Sequence, residues 1–136
     1  MYTNADCTVY NRIYDPTSRQ DRWQRTALSG VLWESQEAVS VVKGGLAPAG
    51  TVSNTTAVYI PFRDGYLPPK RFSAVPGGSW TIQKGDRVVK GVVDLEIEGG
   101  KISALEQTYD DVITVTSVDA MDYGSRDMWH WQIGGQ

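Results

Sequence analysis

Apolar and polar residues alternate with a period of two along most of this chain, the spacing that turns one face of a β-strand to a core and the other to water. In residues 7–13 (CTVYNRI), Val9 falls on one face and Thr8 and Tyr10 on the other, which predicts a first strand. Asp15-Pro16-Thr17-Ser18 breaks it. Residues 23–33 (WQRTALSGVLW) predict a second strand with a bulge at Ser29-Gly30. The pattern centres on residues 80–93 (WTIQKGDRVVKGVV), two β-prone runs flanking Lys84-Gly85-Asp86. That arrangement predicts a β-hairpin, with Gly85 in the turn and Gly91 at a bulge or bend. Residues 57–62 (AVYIPF) predict a strand that ends or lies at an edge, because Pro61 has no N–H to donate. Residues 94–98 (DLEIE) set Leu95 and Ile97 against carboxylates, a strand with one wet face. Residues 111–118 (DVITVTSV) give the best strand pattern, and residues 128–133 (MWHWQI) alternate again. In the latter, Met128, His130 and Gln132 face one way, and Trp129, Trp131 and Ile133 the other.

Four stretches depart from this period. Residues 34–42 (ESQEAVSVV) place Ala38, Val41 and Val42 at helical spacing behind an acidic first turn and predict a short helix. Residues 101–109 (KISALEQTY) fit a short helix or an extended piece. Residues 44–56 (GGLAPAGTVSNTT) carry no charge and predict a loop. Residues 63–79 hold DG, PP and PGG and predict a second long loop. Tyr66, Leu67, Pro68, Pro69 and Phe72 make that loop too apolar for a linker, so it is expected to pack on the body or on a partner. With roughly seven strands and at most two short helices, the expected fold is all-β. A small antiparallel β-barrel or sandwich follows, built as a single domain over residues 1–136 with long loops at 44–56 and 63–79.

Composition narrows function more than fold. Thirteen basic against sixteen acidic residues, with no Lys/Arg block, leave no nucleic-acid footprint. One cysteine, Cys7, excludes an intrachain disulfide and a cysteine-based zinc site. No apolar run approaches the roughly 18 residues of a membrane span, and the first residues lack the basic and apolar regions of a signal peptide. The cytoplasm of the producing cell is the expected location. His130 is the only histidine, it sits between two tryptophans, and no GxSxG turn accompanies it. Asp94, Glu96 and Glu98 share a strand face, with Asp110, Asp111, Asp119 and Asp122 near turns. Such acids suit Ca²⁺ or a glycosidase pair, but they also describe a solvated sheet face, which is the favoured reading. No catalytic residue, metal or cofactor is therefore expected. Five tryptophans and seven tyrosines against two phenylalanines suit rims and interfaces. Trp23, Trp33, Trp129 and Trp131 are the candidate interface aromatics, with a carbohydrate platform as the alternative.

The order of several pieces carries a resemblance: TVYN at 8–11, Trp23, GVLW at 30–33, YIPF at 59–62, LPPK at 67–70, WTIQKGDRVVKG at 80–91, DDVITVTSVD at 110–119 and HWQIGG at 130–135. Together they resemble uncharacterised small structural proteins of tailed phages and prophages of Gram-positive bacteria. Those proteins are in turn similar to the head-closure, or stopper, proteins of the phage neck. The resemblance implies a virion subunit that closes into a homo-oligomeric ring on assembly, with a monomer in isolation compatible with it. Its partners would be portal or adaptor and tail proteins, with no membrane. The two long loops would supply the interaction residues: Lys43, Arg63, Tyr66, Leu67, Pro68, Pro69, Lys70, Arg71 and Phe72. The basic members are candidates for non-specific contact with packaged DNA, or serve as solubilising charges. The rival readings are a tail-completion or minor capsid decoration protein and, further off, a β-barrel carbohydrate-binding module or hydrolase.

Overall fold

The computed structural model describes residues 2–40, 51–74, 78–97 and 101–136. Its strands are β1 (Ala5–Asp15), β2 (Gln20–Ser40), β3 (Thr51–Pro61), β4 (Arg87–Lys90), β5 (Val112–Met121) and β6 (His130–Gly135). Two six-residue helices, α1 (Pro69–Ala74) and α2 (Ser103–Thr108), join them. The strands close into an antiparallel barrel in the order β1-β2-β3-β6-β5-β4, with β4 returning to β1. The all-β expectation holds, and of its two architectures the barrel is the one realised.

The expected bulge lies where the sequence places it. Ala5 pairs with Val31 and Cys7 with Leu28, so β2 carries one extra residue at Ser29-Gly30. Gly30 sits at φ +72°, and its N–H donates to the Asp6 carboxylate at 3.0 Å. Pro61 ends β3 as expected. In β6, Trp131 and Ile133 point into the core, opposite His130 and Gln132.

Residues Cys7, Thr8, Val9, Tyr10 and Asn11 of β1 are all fully buried, which a strand with one wet face never shows. Val9 and Val88 look into the barrel, whereas Tyr10, Trp23 and Val89 look outward. A cover formed by residues 92–97 and 101–109 lies on that outer face and packs Ile97 and Leu105 against them. The Tyr10 hydroxyl donates to the Leu95 carbonyl at 2.6 Å and ties the cover down. Two-sided burial explains why RVVK does not alternate.

Four expectations are corrected. The 80–93 stretch is not a hairpin: Gly85 does turn, at φ +92°, but the arm before it forms no ladder with β4. Trp80 instead bridges in parallel to Tyr66, and β4 pairs with β1 and β5. Residues 34–40 are not helical; they continue β2 and pair with β3. Residues 94–97 alternate in burial but join no ladder, because they belong to the cover. Residues 51–56 of the expected loop are strand, while 41–50, including Lys43, lie outside the described residues. The count falls accordingly to six strands.

Candidate functional site

The longest strand creates the first site. β2 pairs with β1 up to Val31 and with β3 from Leu32 to Ser40. β6 supports β3 only from Thr56 onward. Residues 36–40 and 51–55 therefore continue past both flanking ladders as a two-stranded ribbon, roughly 17 Å long at about 3.3 Å per residue.

The second site lies at the other end of β3, where Pro61 pairs with His130 and Phe62 follows. Trp131 is its hub, with ring centroids 4.2 Å from Phe62, 4.4 Å from Tyr66 and 5.3 Å from Trp80. Trp129 stands edge-on to Phe62 at 6.0 Å, with the Arg126 guanidinium 5.7 Å from its ring centroid. The rings run from buried Trp80 and Trp131, through half-buried Tyr66 and Trp129, to exposed Phe62. Local sequence sets this up: Gly65 at φ +89° leaves room for the Trp80 indole, which would meet an added Cβ at 3.4 Å. Trp80 N–H then donates to the Gly65 carbonyl, and Leu67 N–H to the Trp80 carbonyl, both at 2.9 Å. A column of rings that surfaces at a rim offers stacking area with little side-chain entropy to lose.

The model described as "Family of unknown function (DUF6751)" matches residues 2–136. This chain belongs to the DUF6751 family. No curated protein and no solved structure matches it.

In this DUF6751 chain the expected interaction loop divides into anchor and tip. Arg63 donates to the carbonyls of Pro61, Ser29 and Gly30, so its guanidinium clamps the bulge rather than reaching outward. Partial burial accordingly lowers its pKa from the usual arginine value. Phe72 is buried under α1, whose first residue, Pro69, lacks only an N–H that no helix bond would use. Tyr66 belongs to the aromatic column, and Leu67 and Pro69 are half-buried. Pro68, Lys70 and Arg71 remain exposed.

Of the expected interface tryptophans, only Trp129 reaches the surface. Trp33 and Trp131 pack in the barrel, and Trp23 lies under the outer cover with the Arg87 guanidinium 5.6 Å from its ring centroid. That placement also removes the continuous indole platform a carbohydrate-binding face would use. His130 Nδ1 lies 2.9 Å from the Met128 carbonyl, and its ring meets Tyr59 edge-on at 5.5 Å.

Among the described residues the carboxylates do not converge. Among the described residues, no three His, Cys, Asp or Glu side chains could hold a metal ion. Asp94, Asp110 and Asp119 are exposed, Glu96 pairs with Arg25 at 2.8 Å, and Glu98 lies outside the described residues. Shallow crevices open among the described residues. One of about 410 Å³ is lined by Gln24, Arg25, Thr26, Gly78, Ser79 and Trp80, and one of about 300 Å³ by residues including Asp15 and Arg22. Neither brings two acids together. No described helix is long and apolar enough to cross a membrane.

The site that sequence reading missed is the ribbon. A run of small and β-branched residues, TVSNTT, was its signal, obscured by the Gly- and Pro-rich residues before it.

Proposed function

We propose that this chain is a virion structural subunit of the tailed-phage neck, a head-closure ring component that joins the portal or adaptor to the tail and helps retain packaged DNA. The observation that carries this reading is a small closed barrel whose β3 links two adhesive ends, an open-edged ribbon and a surfacing aromatic rim. A ring subunit in a stack needs contacts to its ring neighbours and to the layers above and below, and a rigid barrel fixes the angle between them. The net charge of −3 suits a channel through which DNA slides, since strong phosphate binding would hold it. Lys70 and Arg71, exposed on α1, are the basic residues this reading assigns to non-specific contact with DNA.

The test adds purified tagged protein to DNA-filled heads lacking it, with negative-stain microscopy and a DNA-retention assay. Addition at the portal vertex with restored DNA retention is the expected result. Binding to isolated tails or to the capsid lattice, with retention unchanged, would replace head closure by tail completion or decoration.

A further inference from the structure

The β2–β3 ribbon presents two strand edges without partners among the described residues: β1 forms no ladder with β2 beyond Val31, and β6 none with β3 before Thr56. A lone two-stranded ribbon is marginal in water, and natural proteins blunt open edges with lysine, proline or a bulge. This ribbon carries none of these. Its strands read QEAVS and TVSNT, with Glu37 their one charge, and the register between them runs without a shift.

We infer that the occupant of these edges is a second copy of this chain: residues 36–40 of one copy pair antiparallel with residues 51–55 of the next. The edges match in length, five residues each, and the two strands run in opposite directions. A neighbour's β2 set beside β3 therefore continues the antiparallel alternation. A foreign strand fills one edge and leaves the other open. A copy of the chain brings both edges, so head-to-tail pairing that closes into a ring satisfies every subunit twice. Charge agrees, since Glu37 on one strand meets only the uncharged TVSNT of its neighbour. The inference rests on the ring element of the proposed function and specifies its contact.

Engineered cysteines in the full chain test it, because Cys7 is fully buried and leaves a clean background. One preparation carries Glu37→Cys or Val39→Cys, and the other, mass-tagged, carries Val52→Cys or Asn54→Cys. Both are mixed at millimolar protein under thiol–disulfide exchange, which traps even weak pairing. The expected result is a mixed disulfide several-fold above the statistical share for at least one combination, with amide exchange in 36–40 and 51–55 slowing as concentration rises. Same-edge homodimers in excess, or statistical products with exchange independent of concentration, would overturn it. Heads that bind the protein while no mixed disulfide forms reject this contact and keep the neck reading; a mixed disulfide from a protein that ignores heads does the reverse.

Discussion

Asp86 is the residue on which the base of the barrel turns. Its carboxylate is fully buried and accepts N–H bonds from Asn11 Nδ2 at 2.8 Å, Gln83 at 3.0 Å and Arg12 at 3.1 Å. Asn11 also donates to the Thr81 carbonyl at 2.7 Å, so β1 is held to the chain entering β4. Asp86→Asn turns an amide N–H toward these donors and is expected to destabilise the fold by about 1–3 kcal/mol in urea titrations. Burial raises the Asp86 carboxyl above the ordinary carboxylate range, against the lowering effect of its donors. A raised native value means the folded state holds the proton more tightly. The contribution of Asp86 is then fully present below the ordinary carboxylate value and declines as pH rises through the raised one. Urea midpoints over that interval should fall with pH in the native protein, and this component should vanish in Asp86→Asn. Cys7 makes a simpler case: burial pushes its thiol up to about 12. Iodoacetamide at neutral pH should leave it unmodified until urea unfolds the chain. Cys7 is buried completely on β1, and Asp86 sits in KGD beside the turn expected at Gly85. Nothing local to that tripeptide announces that Asn11 lies across from it.

At the scale of elements, close approach explains Gly134 and Gly135 at the end of β6. β5 bulges between Val115 and Ser117 where it meets β6. A Cβ on Gly135 would sit 2.7 Å from the Thr114 carbonyl oxygen and 2.8 Å from Ile113 Cδ1. Gly135→Ala should therefore cost about 1–3 kcal/mol of stability by overpacking, measured by thermal or urea unfolding. Arg63 and Lys70 separate anchor from tip within one segment. Arg63→Ala, which strips three carbonyls of their donor, should destabilise by about 1–3 kcal/mol. Lys70→Ala, on an exposed surface, should stay within about 0.5 kcal/mol. Residues 34–40 show how an element is misread. Ala38, Val41 and Val42 do lie at helical spacing in the sequence, yet over 34–40 pairing with β3 decides for the strand.

For the whole molecule, the outer cover packs on the barrel through one shared apolar cluster, and the ribbon extends from the barrel. Leu105 is fully buried in the cover cluster, so Leu105→Ala should lower stability by about 2–5 kcal/mol and loosen Tyr10 and Trp23 with it. The ribbon should behave oppositely. Ser35 and Thr56 are register partners, so an Asn-Gly turn joining them should keep a cooperative unfolding transition while abolishing concentration-dependent self-association in sedimentation velocity. The sequence by itself determined the strand character, the bulge at Ser29-Gly30, the stop at Pro61 and the shared face of Trp131 and Ile133, because each follows from residue type or from a period of two; that this face looks inward is a tertiary outcome. Only the tertiary structure decided which strands pair, that β1 is buried on both faces, that Trp80 reaches back to Tyr66, and that β2 outruns its neighbours into an open-edged ribbon. These depend on contacts between residues distant in the chain, and no local preference encodes a partner.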